Sequence, residues 1–263
     1  KMKLISYTYN NKASFGHQAT SDKIIDIASK FNYVDVLDFI SKGGQNNQDI
    51  INYIKSDDAL MLEMVDLKVT SPIKPRSLRD AYAFRQHVET SRRNRGLEMI
   101  EEFDNFPVYY YSNADATVGP GELHIDDVFM NKLDFELEVA IVISKEGINI
   151  NASQADNYIA GLTIMNDFSA RDLQMQEMKL NLGPAKGKDF ATSLGPILVT
   201  LDELRDKTTR TDKGNHYSLN MQCIINNQKI SEDHLGNISW TFAQIIERVS
   251  MGTRIYPGDV IGS

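Results

Sequence analysis

Apolar and polar positions alternate over several short segments of the chain, which predicts a strand-rich fold. The longest alternation is LDFELEVAIVI, residues 133–143, where the odd positions carry large apolar side chains. Further strand-like runs are FPVYYYS, YIAGLTIMND, GPILVT, YSLNMQCIINNQKI and RIYPGDVIGS. Helical spacing is found at residues 34–43, 47–56, 77–103, 168–178 and 239–251. The pattern predicts a mixed α+β protein with more strand than helix.

The order of these elements indicates two domains. Residues 1–70 combine short strands and helices and are predicted to form a small N-terminal α+β domain. The Pro-punctuated stretch LKVTSPIKP leads into residues 71–263, the main domain. Strand-like residues continue to Ser263 without a polar tail, so we expect the C-terminal end of this domain to be incomplete.

Charge and cysteine content narrow the class of protein. The net charge of −8 argues against a nucleic-acid partner, because such proteins usually carry a basic surface. Cys223 is the single cysteine, which excludes an intrachain disulfide and fits a reducing cytoplasm. The sequence has no apolar run of 18 residues, so no membrane partner is expected.

Two acidic side chains share one face of the longest predicted strand. Glu136 and Glu138 are two positions apart, which places their Cα atoms about 6.5–7 Å from each other. Such a pair can lie on a solvent-exposed face, or it can converge on one cation. Ala140 and Val142 continue the same face and favour burial. In an apolar wall, two unpaired carboxylates would repel each other, so burial would require a cation, while an exposed face stays the ordinary interpretation of this strand alone.

Polar side chains also follow the strand YIAGLTI. Asp167 lies where this strand is predicted to pass into a helix, a position typical of an N-cap. Arg171 and Gln174 lie four and seven residues further on, along one helical face. The three side chains fit either a capped surface helix or the wall of an anion-binding pocket.

The predicted helix at residues 77–103 carries an acid and a histidine. Ser77 and Asp80 have the spacing of a capping box. Asp80 and His87 are seven residues apart and can face the same side of a helix. A surface or core histidine is the alternative interpretation of His87.

The loop LGPAKGKDFATS, residues 182–193, is Gly-rich and contains Lys188. Its spacing is one residue short of a P-loop, and Asp189 follows the lysine where Ser or Thr is required, so we exclude phosphate binding of that type. The motifs HExxH, GxSxG, CxxC and GxGxxG are absent. The four acids Asp80, Glu136, Glu138 and Asp167 form an all-oxygen set, which suits Mg²⁺, Ca²⁺ or Mn²⁺ rather than zinc.

The order of these segments resembles the fumarylacetoacetate hydrolase family. The resemblance rests on Asp followed by RQH, then DFELE, NDFSARDLQ and LGPxxGK, and it covers roughly residues 68–263. It implies a β-roll-like catalytic domain, a homodimer and a divalent cation, with Mg²⁺ expected first and Ca²⁺ or Mn²⁺ as alternatives. The small N-terminal domain also resembles that of many members, although less specifically.

The resemblance also assigns roles to individual positions. It makes Asp80, Glu136, Glu138 and Asp167 the metal ligands, His87 the general base, and Lys188, Arg171 and Gln174 the polar groups around the reacting oxygens. Tyr82 and Tyr110 match positions that contact substrate, and Arg95 matches such a position after a one-residue gap. Thr192 matches a position near the metal ligands.

The implied activity is hydrolysis of a carbon–carbon bond in a 1,3-dioxo acid, fumarylacetoacetate- or acylpyruvate-like, through a metal-stabilised enolate, as in the catabolism of aromatic compounds. Other members act as decarboxylases, isomerases or hydratases on 2-oxo acids with the same site. In true hydrolases, the segment after PGDVIxS supplies a threonine and a glutamate that orients the base histidine, and this sequence stops before it. A non-catalytic, metal-stabilised binding protein is therefore the alternative from another class.

Overall fold

The computed structural model describes residues 1–94 and 96–263 and has a mixed, strand-rich α+β architecture. The α-helices of these residues are short: α1 Val36–Ser41, α2 Gln48–Tyr53, α3 Arg85–Arg93, α4 Ala152–Ala155, α5 Arg171–Met178 and α6 Phe242–Ser250. None of the helices described is long and apolar enough to cross a bilayer.

Strands form most of the remaining regular structure. Before residue 130 they are β1 Lys3–Tyr9, β2 Lys12–Gln18, β3 Lys23–Asp26, β4 Met61–Glu63, β5 Lys68–Val69, β6 Ser77–Ala81, β7 Tyr109–Ser112 and β8 Thr117–Val118. The central strands are β9 Leu133–Asp134, β10 Leu137–Ile143, β11 Gly147–Ile148, β12 Ile159–Asp167, β13 Ser169–Ala170, β14 Thr192–Leu194 and β15 Ile197–Thr200. The last are β16 Thr208–Thr211, β17 Gly214–Tyr217, β18 Asn220–Ile225, β19 Gln228–His234, β20 Arg254–Ile255 and β21 Asp259–Gly262.

One large sheet organises the molecule, with the strand order β4-β3-β2-β1-β15-β12-β10-β21-β6-β7. β1 pairs with β15 in an antiparallel register, so the sheet is continuous across the boundary predicted at residue 70. β21 pairs with β6 in parallel, which places the end of the chain beside the strand that carries Asp80. The division into domains at 1–70 and 71–263 stays a prediction.

The central strand β10 is buried on both faces. Val139, Ile141 and Ile143 pack into a core shared with α6, whereas Ala140 and Val142 pack into a second core shared with α1 and α2. α6 presents its apolar face to the first core, and a capping box between Thr241 and Gln244 fixes where this helix begins. The face that Glu138 shares with Ala140 is therefore an interior face, and solvent exposure does not explain this glutamate.

The helix predicted at residues 77–103 is wrong at its beginning and end. Residues Ser77–Ala81 form β6, and the helix is limited to Arg85–Arg93. The Ser77 hydroxyl donates to Asp259 Oδ1 at 2.7 Å and caps no helix. β6 pairs with β7 on one side and β21 on the other, and these long-range backbone hydrogen bonds outweigh the local helical pattern.

Two further boundaries differ from the prediction. The strand expected at residues 133–143 is interrupted after β9, so Glu136 lies just before β10 and not within it. The helix expected from residue 168 begins at Arg171, because Ser169 and Ala170 pair with β9 first. Asp167 therefore ends a strand and is not an N-cap, since the residue preceding α5 is Ala170.

Candidate metal centre

Strand register brings three of the four predicted acids together on the interior face of the sheet. Asp80 of β6 pairs with Tyr110 of β7 on one side and with Gly262 of β21 on the other. Gly262 in turn pairs with Ala140 of β10, the neighbour of Glu138 on that face. Asp167 ends β12, whose register with β10 places Met165 opposite Glu138.

Together with Glu136, these acids form one cluster. One carboxylate oxygen each from Asp80, Glu136, Glu138 and Asp167 lies within 4.8 Å of the others. Asp80, Glu138 and Asp167 are buried, and Glu136 is half-buried. Four carboxylates at this spacing repel one another strongly in a buried site unless a cation lies between them.

The surroundings of Glu138 fit a hard cation. Its Oε2 is buried and has no hydrogen-bond partner among the described residues. Gly262 packs closely against this region, because a Cβ there would lie 2.1 Å from Met165 Cε and 2.9 Å from Glu138 Oε2. An unpartnered carboxylate oxygen in an all-oxygen donor set is what Mg²⁺, Ca²⁺ or Mn²⁺ requires. The cluster can therefore hold a divalent cation.

Lys188 and Tyr110 close the cluster on its other sides. Lys188 is 3% exposed, and its Nζ donates to Glu136 Oε2 at 2.5 Å and to Asp167 Oδ2 at 2.9 Å. The Tyr110 hydroxyl lies 2.6 Å from Asp80 Oδ2 and also contacts Asp167 Oδ2. Tyr110, predicted to contact substrate, thus hydrogen-bonds to two of the predicted metal ligands.

Burial and neighbouring charges shift the pKa values of the four acids in different directions. Burial, followed by the charges of Asp167 and Glu136, raises the pKa of Asp80 to about 8. Burial also raises the pKa of Glu138, with Asp80 as the next cause, and it raises the pKa of Asp167 despite the proximity of Lys188. Burial opposes ionisation of Glu136 as well, but Lys188 and Arg171 outweigh it and lower its pKa to about 2.

Arg171 of α5 hydrogen-bonds to the acid cluster and to two neighbouring side chains. Its Nη1 donates to Glu136 Oε1 at 2.8 Å and to Gln174 Oε1 at 3.1 Å, and its Nε donates to Asp134 Oδ2 at 2.8 Å. Glu136 thus receives Lys188 on one oxygen and Arg171 on the other. The predicted anion-binding side chains Arg171 and Gln174 do lie together on α5, next to the acid cluster.

His87 and Tyr82 contact each other through their rings. The two rings meet edge to face, with their centroids 6.2 Å apart. Desolvation lowers the pKa of His87, and the opposing charge of Glu136 is the second cause, so the imidazole is close enough to sense the cluster. Glu89 is paired with Arg85 and is not a partner of His87. Among residues 1–94 and 96–263, no side chain hydrogen-bonds to the imidazole.

The remaining predicted residues fall into two groups. Thr192 of β14 pairs with Asp167, and its hydroxyl lies 3.5 Å from Asp167 Oδ1, so it contacts a predicted ligand directly. Arg95, predicted to bind substrate, lies outside the described residues.

Sequence reasoning missed two residues that shape the site. Asp134 is the third acid of the alternating stretch that contains Glu136 and Glu138, and its sequence position indicates no role. In the structure it accepts a hydrogen bond from Arg171. Glu177 of α5 accepts from the backbone amides of Ala185 and Gly187 and thereby holds the loop that carries Lys188. No sequence motif marks Glu177, because its partners are backbone amides, which every residue type except proline carries, in a loop 8 to 10 residues further on.

Comparison with known proteins shows the family of the chain. The family model described as Fumarylacetoacetate (FAA) hydrolase C-terminal matches residues 77–263, which include every predicted site residue. The chain belongs to the fumarylacetoacetate hydrolase family. The predicted family and the predicted fold class are both confirmed.

Relatives within the fumarylacetoacetate hydrolase family carry different names. A mitochondrial oxaloacetate tautomerase of Rattus norvegicus is 32% identical over 157 residues, or 59% of this chain and 46% of that protein. The chain thus spans about half the length of this curated relative. A fumarylacetoacetate hydrolase domain-containing protein 2 homolog of Dictyostelium discoideum is 26% identical over 91% of this chain and 77% of its own.

Solved structures support the fumarylacetoacetate hydrolase fold over the whole chain. A fumarylacetoacetate hydrolase from Exiguobacterium antarcticum superposes with a TM-score of 0.75 at 21% identity, covering 100% of this chain and 86% of its own. A probable 2-hydroxyhepta-2,4-diene-1,7-dioate isomerase from Mycobacterium abscessus gives 0.71 at 22% identity, covering 99% and 84%. At these identities the likeness concerns the fold.

Proposed function

We propose that the protein is a divalent-cation-dependent enzyme that hydrolyses a carbon–carbon bond in a 1,3-dioxo acid. The observation that carries the proposal is the buried acid cluster, with an unpartnered Glu138 oxygen, directly beside the cations Lys188 and Arg171. A site of this kind binds a metal through its acids and offers two fixed positive charges to an anionic substrate.

In the proposed reaction, a bound cation and the side chains of the protein have separate roles. A divalent cation bound by Asp80, Glu136, Glu138 and Asp167 supplies Lewis acidity toward an enolate. The positive charges of Lys188 and Arg171 stabilise the substrate carboxylate and the oxyanion that develops during the reaction. Gln174 accepts from Arg171 and restricts the plane of its guanidinium.

His87 is the proposed general base. Its lowered pKa keeps the imidazole neutral near pH 7, the form that accepts a proton from water. Water that has lost this proton attacks the substrate carbonyl, and the bond to the departing enolate carbon then breaks. The protonated imidazole can return the proton to that carbon.

Tautomerisation of a 2-oxo acid is a second candidate, because the relative at 32% identity is named an oxaloacetate tautomerase. It uses the same enolate and a proton transfer, without attack by water. Decarboxylation, isomerisation and hydration are the other reactions expected from the same site.

A substrate panel separates these proposals. Purified protein with Mg²⁺ or Mn²⁺ is incubated with fumarylpyruvate, acetylpyruvate and oxaloacetate, and products are identified by NMR. Two carboxylic acids from a dioxo acid support hydrolysis, and keto–enol exchange without cleavage supports tautomerisation. Metal binding without turnover of any of these acids would indicate a non-catalytic binding protein.

The His87→Ala variant tests the general base. Removal of a positioned general base lowers kcat by about 100-fold or more, while the affinity for Mn²⁺ alone stays unchanged, because His87 is not a ligand. His124→Ala, which changes an exposed histidine outside the site, is the matched control. Full turnover by His87→Ala would remove His87 from the mechanism.

Two further expectations belong to the same proposal. We propose a homodimer, which sedimentation of the purified protein tests directly. We also propose a cytoplasmic location, consistent with the single cysteine, and microscopy of a tagged chain tests it.

A further inference from the structure

Asp134 is held in place from both of its carboxylate oxygens. Its Oδ1 accepts from the backbone amide of Phe135 at 2.9 Å, and its Oδ2 accepts from Arg171 Nε at 2.8 Å. The backbone around this pair is also fixed, because Asp134 pairs with Ser169 between β9 and β13. The Arg171 amide donates to the Lys132 carbonyl at 2.9 Å. Asp134 and Arg171 therefore meet on a short two-stranded ladder just before α5.

The guanidinium of Arg171 has a defined set of partners. Nε contacts Asp134, and Nη1 contacts Glu136 and Gln174. Because a guanidinium is rigid and planar, fixing Nε and Nη1 fixes the whole group. Nη2 makes no hydrogen bond to the residues that the structure describes, so its donors are available to another acceptor.

Asp134 is linked to the acid cluster through Arg171, which also donates to Glu136. Glu136 accepts from both Lys188 and Arg171, so it is the carboxylate on which the two cations converge. Without Asp134, Arg171 keeps Glu136 and Gln174 as the partners of Nη1 and loses the acceptor of its Nε. Among the residues that the structure describes, Asp134 forms an ion pair with Arg171 alone.

We propose that Asp134 is a positioning residue that orients Arg171 so that its Nη2 donors meet the carboxylate of the dioxo-acid substrate. The proposal rests on the proposed function for the identity of the substrate. Asp134 acts through Arg171 and not on the substrate itself. An acid at this place provides specificity for carboxylate-bearing substrates without taking part in the chemistry.

The kinetic test compares Asp134→Ala with Arg171→Ala and with the double variant. Loss of one charge-assisted hydrogen bond corresponds to about a tenfold change, so Asp134→Ala should raise KM for the turned-over oxo acid about tenfold. Affinity for Mn²⁺ alone should stay unchanged. Because Asp134 acts only through Arg171, the double variant should bind substrate no more weakly than Arg171→Ala. Asp134→Asn, which keeps one acceptor oxygen, should fall between wild type and Asp134→Ala.

A second readout does not depend on activity. In wild type, the Nε–H of Arg171 should give an NMR signal protected from solvent exchange, and Asp134→Ala should remove that protection. Asp172→Ala is the matched control, since Asp172 also accepts from its following amide but takes its second bond from Asn131. Protection of the Arg171 signal should survive in this control.

The KM values, the Nε–H protection and the turnover of wild type each test a different part of the proposal. If the effects of Asp134→Ala and Arg171→Ala on KM multiply, Asp134 does not act through Arg171. If Nε–H protection survives in Asp134→Ala, Asp134 does not position the guanidinium, whatever the enzyme does. If protection is lost and KM is unchanged, the orientation is not used for substrate. Absence of any turnover in wild type, with Nε–H protection as expected, would overturn the proposed function and leave the positioning contact established.

Discussion

Glu138 differs from the other acids of the cluster in having a fully buried oxygen without a hydrogen-bond partner among the described residues. Asp167 and Glu136 are compensated by Lys188, and Asp80 receives the Tyr110 hydroxyl. Burial raises the pKa of Glu138 because its charged form has lost water without gaining a compensating donor. Glu138 therefore has the most to gain from a bound cation.

The variant Glu138→Gln tests this difference at the residue scale. A neutral amide removes one negative ligand, so affinity for Mn²⁺ should fall by about 100-fold or more in a calorimetric titration. The free energy of unfolding without metal should be unchanged or higher by up to about 1 kcal/mol, because a neutral amide replaces a buried carboxyl that has three acidic neighbours. Glu146→Gln, on an exposed ion pair with Arg254, is the control. Unchanged Mn²⁺ affinity in Glu138→Gln would exclude Glu138 as a ligand.

Strand pairing determines where each functional side chain lies at the scale of elements. Asp80 was expected on a helix with His87, and it lies instead on β6, while His87 lies on the separate helix α3. The strand places Asp80 beside Gly262 and Tyr110, which a helical position seven residues from His87 would not do. Burial lowers the pKa of His87, which still lies close enough for the charge of Glu136 to oppose this effect.

A second buried carboxylate joins three strands in the N-terminal part of the sheet. Asp26, at the end of β3, accepts from the Tyr7 hydroxyl of β1 and from the Ser14 hydroxyl of β2 at 3.0 Å. The Ser29 amide donates to its other oxygen at 2.7 Å. Burial opposes ionisation of this carboxyl, but the hydrogen bonds from Tyr7, Ser29 and Ser14 prevail and lower its pKa.

The lowered pKa makes the stability of this region depend on pH. The contribution of a carboxyl with a depressed pKa is fully present above its unfolded value of about 3.9, and it is lost as pH falls through the folded value. Asp26→Asn should lower the free energy of unfolding by about 1–3 kcal/mol at pH 7, and this difference should shrink below about pH 4. Urea unfolding at pH 7 and pH 3 measures it, with exposed Asp58→Asn as control. A difference that is equal at both pH values would contradict the assignment.

The whole molecule is built around one sheet whose interior face holds both a core and the acid cluster. Leu78, Ala140, Met165 and Val260 belong to the core that α1 and α2 also enter, and Asp80 and Glu138 continue the same face. The N-terminal residues Met2, Leu4 and Phe15 pack into this core as well. The cluster is therefore supported by residues from both predicted domains, and its geometry depends on the entire fold.

Metal binding should accordingly stabilise the entire protein. A cation that binds only the folded state at about 100 times its Kd adds about 2.7 kcal/mol to the free energy of unfolding. For a chain of this size, Mg²⁺ or Mn²⁺ should raise the Tm by about 5–10 °C, and EDTA should reverse the shift. Calorimetric scans measure this effect. His87→Ala should keep the shift and Glu138→Gln should lose it; a shift retained by Glu138→Gln would place the cation elsewhere.

The sequence by itself determined the family, the strand-rich class and the composition of the acid set. Each segment taken alone has an ordinary interpretation, such as an exposed glutamate pair or a capping aspartate. The order of the segments is specific, because a shared site constrains residues that are far apart in the chain. Glu136, Glu138, Asp167 and Lys188 could be predicted to act together on this basis.

Only the tertiary structure decided how these residues meet. Strand register set Asp80 beside Tyr110, backbone amides tied Glu177 to the loop of Lys188, and a short ladder brought Asp134 to Arg171. These contacts join residues that are between 8 and 37 positions apart. Local propensity extends over a few residues, whereas long-range backbone hydrogen bonds and burial choose between strand and helix and aim each side chain. The acids of the cluster could therefore be predicted from the order of the segments, whereas the contacts of Asp134 and Tyr110 required the fold.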